Sequence, residues 1–136
     1  MPCVWGEEGA QFYRHSQLFV IGLDGFAMAE MLSSADFADG EYKSEKKTVV
    51  IFYASWCPFC RRFLSELERI LPDVGVPTAL TDISDMEDPL WNAFSIDVVP
   101  TAILFQNHKP VARLDGVSGV GLRSSEFKAF AEKAIA

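Results

Sequence analysis

Two cysteines, Cys57 and Cys60, are separated by Pro58 and Phe59 and follow a run of β-branched and aromatic residues. Because proline is favoured in the first turn of a helix, this spacing predicts a helix that begins at Pro58. Cys57 then lies at the helix N-terminus, where unpaired backbone N–H groups and the helix dipole favour a thiolate. Cys60 follows one turn along the same face, within bonding reach of Cys57. The pair predicts thiol–disulfide exchange, in which one sulfur attacks and the other resolves the mixed disulfide.

Other origins of a Cys-x-x-Cys pair are weighed against this interpretation. Such a pair is half of a tetrahedral zinc site, but a second pair is missing, and Cys3, His15 and His108 stand at no ligand spacing. An iron–sulfur cluster lacks ligands for the same reason. A chance occurrence is the third alternative, and a position between a strand and a helix argues against it. We therefore predict no metal and no bound cofactor.

The elements around the pair predict an α/β fold. Thr48–Ala54 is apolar without alternation, which is typical of a central strand covered on both faces. Apolar residues at helical spacing follow from Pro58 to Pro72. The other predicted strands are Leu18–Leu23, Pro77–Ser84, Thr101–Phe105 and Val111–Leu114, and the other predicted helices are Phe26–Phe37, Asp88–Phe94 and one starting at Ser124 or Ser125.

Turns and loops complete this pattern. Asp24-Gly25 and Asp39-Gly40 are turn signals, and the charged stretch Glu41–Lys47 predicts a solvated loop. The last two strands form a hairpin around 106–108, with Pro110 confining the second arm to a sheet edge. The resulting order, β-α-β-α-β-α-β-β-α, predicts a central mixed sheet of about five strands flanked by helices. Residues 1–15 show no period and are predicted to be an irregular extension to a domain over residues 16–136.

Composition bounds the function. The 136 residues fit one domain, and the net charge of −7 disfavours nucleic acid and anionic membranes as partners. The longest apolar runs span about six residues, far below the roughly 20 of a membrane-spanning helix. Three cysteines exclude a disulfide-rich scaffold and leave one unpaired, and Cys3 has no assigned role. The first residues lack the features of a secretory signal, so we expect a cytoplasmic monomer.

Two segments resemble the thioredoxin family. Phe52-Tyr53-Ala54-Ser55-Trp56-Cys57-Pro58-Phe59-Cys60 is similar to the family's active-site strand and motif, and Val99-Pro100-Thr101-Ala102-Ile103-Leu104-Phe105 to its cis-proline strand. Asp115-Gly116 resembles the glycine after the family's last strand. The likeness extends over about residues 16–136, with both motifs in the family's order and on the predicted elements. It implies a thioredoxin-like fold and a protein-disulfide oxidoreductase.

The resemblance also implies roles for individual residues. Cys57 matches the nucleophile and Cys60 the resolving thiol. The residues that would contact substrate are Trp56, Pro58, Phe59, Val99 and Pro100, of which Pro100 matches the cis proline. Val99 would offer its backbone to an extended substrate chain. Protein disulfides are the implied substrates, and a thioredoxin reductase is the implied electron donor.

Several positions depart from the family pattern. Pro58-Phe59 stands where thioredoxins carry Gly-Pro, Ile51 and Leu80 stand where the family has a buried aspartate and its lysine partner, and Ser65 replaces a helix proline. These changes predict a reduction potential above that of thioredoxin. They leave three alternatives open: a disulfide oxidant or isomerase of an oxidising compartment, a thioredoxin-like binding module with little turnover, and a glutathione-dependent glutaredoxin.

Overall fold

The computed structural model describes residues 17–21 and 27–135, and the predicted extension 1–15 and the Asp24-Gly25 turn lie outside them. In chain order the elements are β1 Gln17–Ile21, β2 Ala27–Leu32, β3 Phe37–Ala38, β4 Glu41–Tyr42, β5 Thr48–Tyr53, α1 Pro58–Ile70, β6 Thr78–Asp82, α2 Leu90–Ala93, β7 Thr101–Gln106, β8 Lys109–Asp115 and α3 Ser124–Ile135. Six strands form one mixed sheet in the order β1-β2-β6-β5-β7-β8, and β3 and β4 form a separate ribbon.

Strand β5 runs through the middle of the sheet because its side chains are apolar on both faces. It pairs in parallel with β6 and antiparallel with β7. Val49 and Ile51 pack into the core on one face of the sheet, and Val50 and Phe52 into the core on the other. All four side chains are fully buried. The prediction of a central strand here is confirmed.

Helices α1 and α3 cover one face of the sheet. Phe63 and Leu67 of α1 meet Phe127 and Ala131 of α3 in the core, and all four are buried. The rings of Phe63 and Phe127 contact edge to face, with centroids 5.5 Å apart. The apolar periodicity that predicted both helices is therefore the surface that docks them.

The other face is covered by the short helix α2 and the β3–β4 ribbon. Asp88 accepts a hydrogen bond from the backbone N–H of Leu90 at 2.9 Å, which confirms the predicted start of this helix. Aromatic rings fill the space beneath, with contacting centroids 5.3 to 5.8 Å apart. The rings belong to Phe37, Tyr42, Phe52, Phe94 and Phe105.

The predicted helix over Phe26–Phe37 is wrong within the described residues. Ala27–Leu32 is a strand that pairs in parallel with β6 and antiparallel with β1, so the sheet has six strands instead of about five. These backbone hydrogen bonds to distant strands override the weak helical period of the segment. Ser33 then ends the strand, because its hydroxyl accepts from the Ala35 N–H while Asp36 accepts from the Ser33 N–H.

The predicted loop over Glu41–Lys47 is wrong at its start. Glu41–Tyr42 pairs antiparallel with Phe37–Ala38, and Asp39-Gly40 forms the turn between them with φ values of 54° and 76°. Burial of the Tyr42 ring is the interaction that a charge count along the segment does not reveal. From Lys43 to Lys47 the chain is a loop, as predicted.

The hairpin of β7 and β8 is confirmed. Its two-residue turn, Asn107-His108, has positive φ at both residues, 53° and 76°, as a tight turn matched to strand twist requires. Pro110 lies on the edge strand β8, where its missing N–H breaks no central ladder. Within the described part of the chain, no helix has the length and apolar character needed to cross a membrane.

Candidate active site

The topology brings three chain segments to one edge of the sheet. Strands β5 and β6 are parallel, so their carboxyl ends meet there, and Cys57 follows the first while Ser84 follows the second. Strand β7 is antiparallel to β5, so its amino end, preceded by Val99-Pro100, reaches the same edge. The two motifs that are distant in sequence are thus brought together by strand direction alone.

Cys57 caps the N-terminus of α1. Its backbone is extended (φ −96°, ψ 116°), Pro58 occupies the first turn, and the Cys57 sulfur accepts a hydrogen bond from the Cys60 N–H at 3.3 Å. The sulfur therefore takes the place that a hydroxyl or carboxylate oxygen holds in common N-caps. An N–H donor and the positive end of a thirteen-residue helix both stabilise negative charge on this sulfur.

Cys60 is buried more deeply than Cys57. The exposed fraction is 0% for Cys60 and 5% for Cys57, and both cysteines are free. Burial raises the pKa of the Cys60 thiol, and contact with Cys57 raises it further, against a hydrogen bond from the Ala54 N–H at 3.5 Å. The two thiols therefore differ in access, and Cys57 is the one nearer the surface.

The strands beneath the cysteines are apolar where the sequence predicts it. Ile51 and Leu80 stand opposite each other in the β5–β6 ladder, and both are buried. The phenol of Tyr53 lies near Cys60, and its pKa is raised by burial, by the charge of Asp82 and by Cys60. A tyrosine with a raised pKa keeps its proton at neutral pH, so Tyr53 does not act as a base toward Cys60.

The Val99-Pro100 bond is cis, and both residues are buried against the cysteines. The carbonyl oxygen of Val99 lies 3.6 Å from the Cys57 sulfur. Gly116 closes this wall from behind, because a Cβ atom there would come within 2.6 Å of the Pro100 carbonyl oxygen. The predicted neighbours Cys57, Val99, Pro100 and Gly116 therefore form one continuous site.

Phe59 forms a second wall with the 117–121 loop. A Cβ atom on Gly121 would come within 2.7 Å of the Phe59 Cβ atom, so only glycine lets the loop approach this closely. Arg62 donates to the Val120 carbonyl oxygen at 2.6 Å, and its guanidinium lies 5.6 Å from the Phe59 ring centroid. The sequence predicts Arg62 on a solvated helix face; it is exposed there, and it also clamps the loop.

Trp56 forms the third wall, with a partner that the sequence does not reveal. Its side chain is 51% exposed, and its indole N–H donates to the Ser84 carbonyl oxygen at 2.8 Å. The Trp56 ring is nearly parallel to the ring of Trp91, with an interplanar angle of 8° and centroids 6.4 Å apart. Trp91 lies in a short helix and reads as ordinary core packing, so no sequence signal identifies it as part of the site.

Metal ligation is not supported within the residues that the structure describes. They contain no group of three or more histidine, cysteine, aspartate or glutamate side chains that could hold a metal ion. Cys3 and His15, weighed as ligands from the sequence, lie outside those residues.

The thioredoxin family profile matches residues 28–130. Thioredoxin Y, chloroplastic, of Oryza sativa subsp. japonica is 33% identical over 75 residues, 54% of this chain and 45% of that protein. A thioredoxin of Mycobacterium tuberculosis is 31% identical over 90 residues, 65% of this chain and 77% of that protein. The bifunctional thioredoxin reductase/thioredoxin of Mycobacterium leprae is 33% identical over 92 residues, 66% of this chain and 20% of that protein.

The solved structure of Chlamydomonas reinhardtii thioredoxin f2 has the same fold. It superposes with a TM-score of 0.61 and covers 76% of this chain and 93% of that chain, at 23% identity. The likeness at this identity concerns the fold, whereas the profile match spans both cysteines and the Val99-Pro100 bond. On these grounds the chain belongs to the thioredoxin family of protein-disulfide oxidoreductases.

Proposed function

We propose that this protein reduces disulfide bonds in protein substrates, with Cys57 as the nucleophile and Cys60 as the resolving thiol. The observation that carries the proposal is the position of Cys57, whose sulfur caps α1 and accepts the Cys60 N–H at 3.3 Å. This arrangement stabilises a thiolate at the helix N-terminus and keeps a second thiol one turn away.

The proposed reaction is two successive exchanges. The Cys57 thiolate attacks one substrate sulfur, the substrate S–S bond breaks, and the released sulfur takes up a proton. Cys60 then loses its proton to solvent and attacks the Cys57 sulfur, which breaks the mixed disulfide and releases the second substrate thiol. Two electrons pass to the substrate, and the Cys57–Cys60 disulfide that remains must be reduced by an external dithiol.

Substrate is proposed to lie as an extended chain along Val99. Its carbonyl lies 3.6 Å from the Cys57 sulfur, so a backbone paired there would place a neighbouring disulfide at that sulfur. Trp56, Pro58, Phe59 and Pro100 surround this position as contact residues. The exposed face of Trp56 supports this role, since large exposed aromatic side chains mark interaction sites.

A thioredoxin reductase is the proposed electron donor. The Mycobacterium leprae relative, whose name joins a thioredoxin reductase and a thioredoxin in one protein, supports this pairing. Cytoplasmic location and the monomeric state stay predictions of the sequence.

Insulin reduction by dithiothreitol tests the activity. We expect the wild-type protein to accelerate insulin precipitation, Cys57→Ser to be inactive, and Cys60→Ser to accumulate a mixed disulfide visible by mass spectrometry. Cys3→Ser serves as the matched control and should retain wild-type activity. A wild-type protein with no activity over the uncatalysed reaction would instead favour the binding module.

The direction of the reaction is tested by the reduction potential. Pro58-Phe59 contributes no charge or hydrogen bond donor beside the thiols, and no lysine–aspartate pair stands at Ile51 and Leu80. We expect equilibration with glutathione to give a potential above the roughly −270 mV of thioredoxin. A value at or below that figure contradicts this prediction, and a value near −120 mV would favour the oxidant alternative.

A further inference from the structure

The two tryptophans beside Cys57 are held with their polar edges inward. The indole N–H of Trp56 donates to Ser84, and that of Trp91 donates to the carbonyl oxygens of Ile83 and Asp85 at 3.0 and 3.1 Å. Every donor of the pair is thus satisfied by the 83–85 loop. What Trp56 presents to solvent is its apolar ring, in an orientation fixed by hydrogen bonds and by the parallel Trp91 ring.

The loop that anchors the tryptophans is acidic. Asp82, Asp85 and Glu87 are exposed, and Asp88 is half-buried, whereas residues 70–107 contain no lysine or arginine. The loop carbonyls and N–H groups order it: Asp88 donates its N–H to Asp85, and the Asp85 carboxylate accepts from the Glu87 N–H. Carboxylates therefore border one side of the aromatic pair without a cation of their own segment to neutralise them.

Met86 extends the apolar surface at the tip of the same loop. It is 66% exposed, the most exposed of the large apolar side chains in the described part of the chain. Its flexible thioether can adapt to partners of different shape. An aromatic face, an adaptable aliphatic side chain and nearby carboxylates are the features that bind a long cationic side chain, whose stem is apolar and whose head is charged.

We propose that Trp56, Trp91 and Met86, bordered by Asp85 and Glu87, form a subsite for a lysine or arginine next to the target cysteine of the partner polypeptide. The aliphatic stem packs on Met86 and the indole face, and the charged head lies over the ring and beside the carboxylates. This inference rests on the proposed disulfide reductase function and deepens it, because it assigns the protein a preference among disulfide substrates.

Peptides that contain one intramolecular disulfide flanked by lysine, glutamine or glutamate provide the test. The rate constant for reduction of each is measured with the reduced full-length protein at low and high salt. We expect the lysine peptide to react about three-fold to ten-fold faster than the glutamate peptide. The difference should shrink in 1 M salt, since surface charges are then screened within about 3 Å.

Variants locate the preference on this surface. Trp91→Ala, and separately the pair Asp85→Asn with Glu87→Gln, should reduce the lysine-to-glutamate rate ratio by half or more. Asparagine keeps the side-chain oxygen that accepts the Glu87 N–H, so the loop geometry is retained in the second variant. Asp73→Asn is the matched control: it removes one carboxylate at the far end of α1, about 20 Å away, and should leave the ratio unchanged.

A neutral small disulfide, hydroxyethyl disulfide, separates the two proposals. If the wild-type protein does not reduce it, the disulfide reductase function fails. If the wild-type protein reduces it and reduces all three peptides at equal rates, the subsite proposal alone is overturned. If Trp91→Ala does not fold, the Asp85→Asn and Glu87→Gln pair decides the question, and an unchanged rate ratio in that variant also overturns it.

Discussion

At the scale of single residues, burial separates groups that are chemically alike. Cys57 and Cys60 lie one helical turn apart, yet only Cys60 is fully enclosed, and burial raises its thiol pKa. Tyr42 lies beneath the β3–β4 ribbon with 4% exposure, and burial, together with the charges of Glu30 and Asp36, raises its pKa to about 12. Both shifts have consequences that solution measurements can detect.

The resolving step should depend strongly on pH. Burial is the leading cause of the raised Cys60 pKa, and it persists when Cys57 carries a substrate. Because the thiolate is the attacking species, the rate of mixed-disulfide resolution should rise about ten-fold per pH unit from pH 7 to 9. Single-turnover release of the second substrate thiol measures this rate. A plateau below pH 8 would show that another group takes the Cys60 proton.

Tyr42 should destabilise the fold in alkali. The unfolded phenol ionises near its ordinary value of 10.0 and the folded one near 12, so the unfolded state loses its proton first. The stabilising contribution is complete below pH 10 and is lost as the pH rises toward 12. We expect the advantage of wild type over Tyr42→Phe in urea unfolding to fall by about 1.4 kcal/mol between pH 8 and 11. The other titrating groups are common to both proteins, so parallel pH profiles would contradict the assignment.

At the scale of elements, the site depends on how the 117–121 loop docks on the first turn of α1. The backbones of Val117 and Gly121 pair with each other, which closes the loop, and Arg62 holds it against the helix. Phe59 is the side chain against which the loop rests. The second wall of the site is therefore a contact between elements, and small changes in either element should alter it.

Two glycines in this loop provide a matched comparison. Gly119 and Gly121 have φ values of +80° and +84°, but a Cβ atom meets nothing within 4 Å at Gly119 and the Phe59 Cβ atom at 2.7 Å at Gly121. Gly119→Ala should cost about 1–2 kcal/mol of unfolding free energy through backbone strain alone.

Gly121→Ala should cost about 1–3 kcal/mol more through the added clash with Phe59, and it should lower kcat/KM for insulin reduction. Urea unfolding and insulin kinetics measure both quantities. Equal losses of stability in the two variants would show that the contact between Gly121 and Phe59 is not tight in solution.

At the scale of the whole molecule, the sheet separates two cores with different compositions. The α1–α3 side is aliphatic apart from Phe63 and Phe127, whereas the opposite side is a cluster of aromatic rings. Both cores share strand β5, whose carboxyl end leads directly into Cys57. Stability of either core therefore supports the position of the catalytic helix.

Helix α3 should contribute to stability mainly through Phe127. This side chain is fully buried and contacts Phe63, whereas Phe130 of the same helix is half-buried. We expect Phe127→Ala to lower the free energy of unfolding by about 3–5 kcal/mol and Phe130→Ala by about half as much. Chemical denaturation of the two variants measures the difference. Equal losses would mean that α3 docks through its whole apolar stripe.

The sequence alone was sufficient where structure depends on neighbours in the chain. The strand over residues 48–53, the helix from Pro58 and the Asn107-His108 hairpin are specified by local periodicity and turn residues, so they are predictable. Cys57 at the N-terminus of α1 follows from the same local signals.

Tertiary structure decided whatever depends on residues distant in the chain. Ala27–Leu32 became a strand because β6 offered backbone partners, and Trp91 and Gly121 joined the site because strand order placed their loops beside Trp56 and Phe59. Their local sequences carry no signal of these partners. The free energy of such contacts arises only when the sheet has formed, which is why a single sequence predicts the chemistry of the site more completely than its walls.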